Sequence, residues 1–324
     1  ILYLDQSTVI DNYGQYGSGI SNAGTLHVSA SAINGNYGYT LGGGIYNTGT
    51  VDIHNTIVSG NGNKLSINGN QGGGIFNAGQ LAMDTSTVSG NASSYGGGIH
   101  NSGSLQLDAD TIDNNISVQG GGIDNSKTLF VSDSTISGNS ATFGNGGGIA
   151  NSSATGNANI YNSTITLNVA GVTDAGGGVY NDSVGGALFA LRNTLIANNY
   201  APSVGQSNDC AGILSTYGKD LVGTISGLPA NCTVATPVGV SGSWTYLNPS
   251  NSLGPLQNNG GPTSTHALLP GSNAIDGGDA APPGCVDQDG PILTDQRGLP
   301  RSSGAACDIG AFEYVDRIFK NGYE

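Results

Sequence analysis

The chain has 324 residues, of which 56 are glycine and only 9% are charged. Its 22 Asp and Glu residues against 8 Lys and Arg give a net charge of −14, which leaves no basic surface for nucleic acid or an anionic membrane. Glycine this frequent without a Gly-X-Y period excludes collagen, and 36% apolar residues are too many for a plainly disordered chain. No apolar run approaches the roughly 20 residues that cross a bilayer, so the sequence predicts no membrane span.

One phrase, Gly-Gly-Gly-Ile-x-Asn, recurs along the first two thirds of the chain. Its copies, the last with Val in place of Ile, are Gly42–Asn47, Gly72–Asn77, Gly96–Asn101, Gly120–Asn125, Gly146–Asn151 and Gly176–Asn181. A degenerate copy begins at Gly17, and the aliphatic residues of successive copies lie 24 to 30 residues apart. A repeat of this period predicts a solenoid, because each unit buries its apolar side only against its neighbours.

A second phrase follows each copy and contains two short runs in which β-branched residues alternate with polar ones. Bounded by Gly, Asn and Ser, such runs predict brief strands. Its recurrence predicts an all-β chain in which residues 1–200 form a right-handed, single-stranded parallel β-helix of about eight coils. Residues 201–324, where the repeat dissolves, are predicted to continue the β-helix and to cap its last apolar layer with a disulfide-containing segment.

Asparagine occupies two positions of every repeat. One column contains Asn22, Asn47, Asn77, Asn101, Asn125, Asn151 and Asn181, and the other contains Asn12, Asn36, Asn61, Asn91, Asn115, Asn139, Asn168 and Asn199. Asn tolerates left-handed backbone at a corner, and stacked amides bond one another along a column, so we expect these residues to hold the coils together. The Gly triplets are expected to relieve crowding where coils stack at a tight corner. They are not phosphate or calcium loops, because no Lys-Ser/Thr follows them and Ile stands where calcium repeats need Asp.

A binding or catalytic site would be formed by outward-facing columns, because the inward-facing columns consist of Leu, Ile and Val. In one of them Asp84 and Asp108 are expected on adjacent coils about 5 Å apart, a separation compatible with a retaining pair of carboxylates. Lys64, Lys127 and Arg192 are the only Lys or Arg before residue 200, so an acidic polysaccharide would meet a surface of its own sign. We therefore interpret the pair as solvated carboxylates, keep it as the catalytic candidate, and predict a non-enzymatic protein.

Two further groups are candidate binding residues. Tyr46, Phe76 and His100 follow the triplets and are expected to form a short exposed aromatic ladder, which would stack on a cell-surface or matrix glycan or on another protein. The alternative is cross-coil stacking that steadies the sheet. Asp287 and Asp289, in the sequence Asp-Gln-Asp-Gly, resemble the start of a calcium loop without its later ligands. We therefore predict no cofactor and keep calcium as the alternative.

The four cysteines all lie in the last third of the chain. None forms a Cys-x-x-Cys pair, so two disulfides in an exported protein are expected rather than a zinc or redox site. Four cysteines allow three connectivities. We expect the pairing of sequence neighbours, Cys210–Cys232 and Cys285–Cys307.

The carboxyl-terminal tract contains a series of ordered phrases. They are Asp209–Gly212, Asp220–Gly223, Leu253–Thr263, Thr265–Asp276, Asp295–Arg301 and Cys307–Tyr314. With the four cysteines, they make residues 208–314 resemble the choice-of-anchor Q domain of bacterial exported proteins. The Gly-Gly-Gly-Ile coils are more loosely similar to repeats of polymorphic outer-membrane proteins. They differ in having Ser-Gly-Asn, or a similar tripeptide, in place of that family's Phe-x-x-Asn phrase. The resemblance implies a secreted or bacterial surface-displayed β-helix and transfers no catalytic residues.

The sequence begins inside a strand pattern, as a processed or truncated chain would. An open β-helix end exposes unpaired backbone, and a head-to-tail contact that does not close on itself produces a filament. We therefore expect a structural or adhesive protein that is its own partner. The residues expected to take part in self-assembly are Ile1, Leu2, Tyr3, Leu4, Ile318, Phe319 and Tyr323. The alternatives are a carbohydrate-binding protein using the aromatic ladder and a polysaccharide-cleaving enzyme using the carboxylate pair.

Overall fold

The computed structural model describes residues 1–62, 69–171, 175–202, 209–224, 231–248, 252–280, 284–301 and 304–315. Every regular element in these ranges is a β-strand. None of them contains a helix with the length and apolar character needed to cross a membrane.

The first coils consist of strands of three to five residues. They are β1 (Leu2–Asp5), β2 (Thr8–Ile10), β3 (Tyr13–Tyr16), β4 (Ile20–Asn22), β5 (Thr25–Ser29), β6 (Ala32–Asn34), β7 (Tyr37–Leu41), β8 (Ile45–Asn47), β9 (Thr50–His54) and β10 (Ile57–Ser59).

The middle of the chain repeats a five-residue strand between two strands of three, with two-residue strands added at one corner. These strands are β11 (Ile75–Asn77), β12 (Gln80–Asp84), β13 (Thr87–Ser89), β14 (Ile99–Asn101), β15 (Ser104–Asp108), β16 (Thr111–Asp113), β17 (Ile116–Ser117), β18 (Ile123–Asn125), β19 (Thr128–Ser132), β20 (Thr135–Ser137), β21 (Ser140–Ala141), β22 (Ile149–Asn151), β23 (Asn157–Tyr161), β24 (Thr164–Thr166), β25 (Val169–Ala170), β26 (Val179–Asn181), β27 (Leu188–Arg192) and β28 (Leu195–Ala197).

The remaining strands have four to seven residues and are less regular. They are β29 (Cys210–Thr216), β30 (Lys219–Thr224), β31 (Cys232–Ala235), β32 (Ser243–Leu247), β33 (Leu253–Gln257) and β34 (Thr265–Leu268).

Consecutive coils lie parallel and in register. Leu81, for example, pairs with Val51 on the coil before it and with Leu105 on the coil after it. A ten-stranded sheet takes one strand from each coil, in the order β2, β6, β10, β13, β16, β20, β24, β28, β30 and β32. The chain is thus a right-handed parallel β-helix, and the predicted fold class is confirmed.

Three faces run along the stack. The first face contains the longer strands β1, β5, β9, β12, β15, β19, β23 and β27, and the second face is the ten-stranded sheet. The third face contains the strands that follow the Gly triplets, β4, β8, β11, β14, β18, β22 and β26. Inward side chains of all three faces form one apolar core, to which a single coil contributes the fully buried Ile45, Val51 and Val58.

The first glycine of each triplet turns a corner with left-handed backbone. Gly42 has a φ of 60°, and a Cβ added there would lie 2.2 Å from the carbonyl oxygen of Ile45. A Cβ on Gly44 would lie 2.6 Å from the carbonyl oxygen of Gly74 on the next coil. The triplets therefore permit close stacking of the coils, as the sequence predicts.

The two asparagine columns form side-chain ladders along the axis. Nδ2 of one Asn donates to Oδ1 of the Asn on the next coil, as from Asn47 to Asn77 (2.8 Å) and from Asn91 to Asn115 (2.9 Å). In the second ladder the same oxygen also accepts a backbone N–H, that of Asn91 in this example (3.0 Å). Asn47, Asn77, Asn91 and Asn115 are fully buried, and the predicted axial bonding is confirmed.

The predicted left-handed backbone of the ladder asparagines is wrong. Within the described ranges, none of them has a positive φ. Asn77, for example, is the last residue of β11, and extended backbone directs its amide into the core. One of the corners is instead turned by Gln6, Ala30, Asn55, Thr85, Ala109, Asp133, Asn162 and Asn193.

A third polar column, which the sequence analysis did not predict, consists mainly of Ser and Thr. Backbone N–H groups in this column donate to the side chain one coil further on, as from Thr56 to Ser86 Oγ and from Asp110 to Ser134 Oγ (both 3.0 Å). Asp110 accepts in the same way from the N–H of Ser86 (2.7 Å) and is fully buried. Burial raises the pKa of Asp110 well above its ordinary value.

After β32 the chain turns back along the second face. Thr135 Oγ1 donates to Gln296 Oε1 (2.6 Å), and the buried Arg301 forms an ion pair with Asp133. An apolar cluster joins the two parts and contains Leu195, Ala197, Leu221, Leu247, Leu268, Ala274, Ile309 and Phe312. These contacts of the described tail lie along a side of the stack, and Asn273 of the tail also donates to Tyr246 O of the last strand, β32 (2.9 Å). A cap over the last apolar layer stays a prediction.

Both disulfides join sequence neighbours, which confirms the predicted connectivity. Cys210–Cys232 links β29 to β31, with 5.5 Å between the Cα atoms, and Cys285–Cys307 closes a loop within the tail, with 5.9 Å between them. Each spans 22 residues, a loop length for which cross-linking stabilises the fold by about 3 kcal/mol. Two disulfides and no free cysteine indicate an oxidising compartment.

Replacing Asn115 with Ala interrupts the second ladder at its centre. Asn91 then loses the acceptor of two hydrogen bonds, and the side chain of Asn139 loses a donor. Because these groups are buried, we expect the unfolding free energy to fall by about 2–4 kcal/mol in urea denaturation. Asn159→Ala, on the outer surface, is the matched control and should change it by less than about 0.5 kcal/mol. A loss for Asn115→Ala no larger than that of the control would contradict the role of the ladder.

Replacing Asp220 with Asn should change how stability depends on pH. Burial raises the pKa of Asp220 to about 7, although the Thr194 N–H and the Thr216 hydroxyl donate to it. The unfolded chain ionises this group near pH 3.8. Between roughly pH 4 and 7 the folded state alone keeps the proton, so the unfolding free energy falls as pH rises, by about 4 kcal/mol in total.

We therefore expect Asp220→Asn to be more stable than the parent chain at pH 8, with the difference shrinking towards pH 4. Urea denaturation across this range measures it, with the exposed Asp5→Asn as control. A difference that does not change with pH would show that Asp220 is ionised in the folded state.

Candidate functional site

Two outward columns of the first face contain the polar side chains of the candidate site. The strand register places one residue of each coil in each column. The central column contains Tyr3, His27, Asp52, Ala82, Gln106, Phe130, Asn159 and Ala190, and the edge column contains Asp5, Ser29, His54, Asp84, Asp108, Ser132, Tyr161 and Arg192.

The histidines of both columns are paired with carboxylates one coil further on. His27 Nδ1 lies 3.0 Å from Asp52 Oδ2, and His54 Nδ1 contacts Asp84 Oδ1. The two pairs border a shallow depression whose floor includes Ala82. Each His precedes its Asp by one repeat, so both pairs follow from the register. Pairs as exposed as these contribute little to stability, roughly 0–1 kcal/mol each.

Asp84 and Asp108 lie opposite each other on adjacent coils, as predicted. Asp84 Oδ1 is in contact with His54 and accepts from Thr85 Oγ1 (3.0 Å). The pKa of Asp108 is raised above its ordinary value. Partial burial is the largest cause, and the negative charges of Asp287 and Asp84 add to it. A carboxyl group with a raised pKa beside a second carboxyl group is an arrangement that acid–base hydrolysis uses, and a catalytic role for this pair stays a prediction.

The tail loop that contains Asp287 and Asp289 lies over the edge column. Asp287 Oδ1 accepts the backbone N–H groups of Asp289 (2.8 Å) and Gly290 (3.1 Å), and its Oδ2 lies 3.5 Å from Ser132 Oγ. In the part of the chain that the structure describes, no three His, Cys, Asp or Glu side chains are grouped so as to hold a metal. Calcium binding by Asp287 and Asp289 therefore stays a prediction.

The predicted aromatic ladder forms, but it is not exposed. The ring of Phe76 stacks between those of Tyr46 (5.4 Å) and His100 (5.2 Å), and His100 Nδ1 lies 2.9 Å from Asp124 Oδ2. Phe76 and His100 are only 8% and 9% exposed. Asp124 is itself buried and accepts from Ser152 Oγ (2.6 Å). The ladder therefore belongs to the packing of this corner, and the expectation of an exposed stacking surface at Phe76 and His100 is wrong.

An exposed group of tyrosines occurs instead on β3 and β7. Tyr13 and Tyr37 stack across these strands with ring centroids 5.2 Å apart, and they are 69% and 43% exposed. Tyr39 is 63% exposed on the same strand as Tyr37. The sequence signal is the alternation Tyr37-x-Tyr39 directly after the ladder residue Asn36.

The coil stack ends at β31 and β32. In the described residues each pairs on one side only, β31 with β29 and β32 with β30. Val234 and Trp244 at this end pack against the core but remain partly accessible. This end therefore presents strand edges and apolar side chains together.

The residues predicted for self-assembly are only partly described. Ile1, Leu2 and Tyr3 are exposed, and Leu4 packs against the core while staying partly accessible. β1 pairs with β5, and the Tyr3 ring stacks on His27 with 4.8 Å between centroids. Three further predicted residues lie outside the described ranges: Ile318, Phe319 and Tyr323.

Fold and disulfides together define the chain as a parallel β-helix protein of an oxidising compartment. No protein-family model matches the chain, and no curated protein matches it. Among solved structures it is similar to the pectate lyase Pel9A, with 15% identity and a TM-score of 0.49 over 96% of this chain and 87% of that one.

Replacing Asp287 with Asn should lower the pKa of Asp108. Asp287 is the nearby charge that contributes most to raising it, so removing that charge moves the pKa back towards the ordinary value. Carboxyl-carbon NMR titration of Asp108 measures the change, with the distant Asp5→Asn as control. An unchanged pKa in Asp287→Asn would show that the tail loop does not lie over the edge column in solution.

Proposed function

We propose that this chain is a non-enzymatic structural or adhesive protein, secreted or displayed at a bacterial surface, that assembles end to end into a filament. The observation that carries the proposal is the open end of the coil stack at β31 and β32. In the described residues, the chain that follows turns along the second face and meets this end through Asn273, which donates to Tyr246 O (2.9 Å) and accepts the N–H of Asn248 (3.1 Å). The other strand edges and the part-accessible Val234 and Trp244 remain at this end. Unpaired parallel strands next to apolar side chains form a template for a further coil.

A second copy is the occupant that matches this end. Its β1 has four residues, as β31 does, and in the chain both strands belong to the parallel stack. Leu4 and Val9 are partly accessible core residues of the first coil, as Val234 and Trp244 are of the last. Stacking these surfaces would continue the core from copy to copy, and a contact of this heterologous kind extends without closing.

The surface of the first face supports a non-enzymatic role. Asp52 and Asp84 are both engaged by histidines of the preceding coil, and Asp5 accepts from Ser29 Oγ (2.6 Å). The resemblance to the choice-of-anchor Q domain implies export and surface display, which is also the setting in which two disulfides persist.

Assembly is tested by light scattering and electron microscopy of the purified chain over a range of concentrations. We expect elongated assemblies that grow with concentration. Val234→Lys places a charge in the proposed contact and should abolish them, because a buried unpaired charge is costly at an interface. Val238→Lys, at a fully exposed position four residues away, is the matched control and should assemble normally.

A parent chain that stays monomeric at high concentration would overturn end-to-end assembly. So would Val234→Lys assembling as well as Val238→Lys, provided that circular dichroism shows both to be folded.

The raised pKa of Asp108 beside Asp84 favours a second candidate function, polysaccharide hydrolysis. Incubation of the chain with neutral and acidic polysaccharides, followed by analysis of reducing ends, separates the two. We expect no turnover; turnover that disappears in Asp108→Asn and persists in Asp5→Asn would replace the structural role with an enzymatic one.

A further inference from the structure

We infer that the outer surface of β3 and β7 is a binding platform for a neutral glycan chain. This surface, the tyrosine platform, consists of Tyr13, Gln15, Tyr37 and Tyr39, which all face outwards from the two-stranded sheet. Three aromatic rings and one amide are thus displayed on two adjacent coils. The inference is independent of end-to-end assembly, because the platform lies on a side of the stack.

The platform is backed by tightly packed main chain. Gly38 lies between Tyr37 and Tyr39, and a Cβ there would lie 2.9 Å from the Cα of Gly43. Ser18 Oγ also donates to the carbonyl oxygen of Tyr37 (2.7 Å). The rings are therefore held on a support that leaves no room for the strand to move inwards, which reduces the entropy lost when a ligand binds.

The chemistry of the platform favours a saccharide. Its apolar area is entirely tyrosine, so every ring combines a face for the C–H groups of a pyranose with a hydroxyl for hydrogen bonding, and Gln15 adds a donor and an acceptor.

The charge near the platform selects neutral chains. Residues 1–62 contain no Lys or Arg, and their only acidic residues are Asp5, Asp11 and Asp52. A uronate or sialic acid would therefore find no Lys or Arg in these coils and a chain of net charge −14 around it. Hexoses and N-acetylhexosamines carry no such charge.

The chain contains its own control for this surface. Tyr200 follows the ladder residue Asn199, as Tyr13 follows Asn12 and Tyr37 follows Asn36. Its N–H donates to Asn168 O (2.8 Å), as that of Tyr37 does to Asn12 O (2.8 Å). It is likewise exposed, by 57%, but no aromatic ring is found stacked on it among the described residues.

The experiment is an array of neutral oligosaccharides, built from hexoses or N-acetylhexosamines, beside uronate- and sialate-containing ones, followed by calorimetric titration of the best ligand. We expect the full chain to bind at least one neutral oligosaccharide. The double variant Tyr37→Ala, Tyr39→Ala should bind it at least about tenfold more weakly, because it removes two of the three rings on which the sugar would stack. Tyr200→Ala should bind normally, and Tyr37→Phe with Tyr39→Phe, which keeps the rings, should stay within a few-fold of the parent.

Three results would overturn the inference. The first is an array on which no neutral oligosaccharide binds, or only acidic ones do. The second is an affinity that the double Ala variant leaves unchanged or that Tyr200→Ala lowers equally. The third is loss of self-association in the folded double Phe or double Ala variant without loss of glycan binding, which would make the platform a contact between copies.

Discussion

The protein depends on the hydrogen bond that each buried asparagine amide makes to the asparagine one coil away. An amide has both a donor and an acceptor, so one side chain such as Asn115 can bond the coil before it and the coil after it. A coil that slipped out of register would leave these groups unsatisfied in the core, at about 1–3 kcal/mol for each. The ladders therefore set the register of all three faces.

That register determines which outward side chains meet. His27 reaches Asp52, His54 reaches Asp84, and Tyr13 reaches Tyr37 because each pair occupies equivalent positions of neighbouring coils. The spacing is the inter-strand distance, about 4.8 Å, which suits stacked rings and hydrogen-bonded pairs. Each coil thus contributes one residue to every outward column. The two interaction surfaces that we propose are the tyrosine platform and the open end at β31 and β32.

The coil architecture could be predicted from the sequence because its signals are local and repeated. The Gly triplets, the inward aliphatic residues and the asparagines recur at one period, and the cysteine connectivity joins neighbours in sequence.

What could not be predicted depends on contacts between distant parts of the chain. Nothing near Thr135 shows that Gln296 will cover it, so the contacts of the tail along the side of the stack cannot be predicted from the sequence. Outward position likewise did not reveal that Phe76 and His100 would be enclosed while Tyr37 and Tyr39 stay exposed. The Ser and Thr column could not be predicted because Asp110 and Asp220 interrupt its composition.

Amide hydrogen exchange along the intact chain, followed by NMR or mass spectrometry, tests the central claim most directly. In a chain dilute enough to be monomeric, a stack held by axial ladders and open at β31 and β32 should protect the middle coils, from β11 to β24, most strongly, with protection decreasing towards β31 and β32. The backbone N–H groups of Asn91, Asn115 and Asn139, which donate within the second ladder, should be among the slowest to exchange. Fast exchange at these three amides, or strongest protection at β31 and β32 in the monomeric chain, would contradict the account.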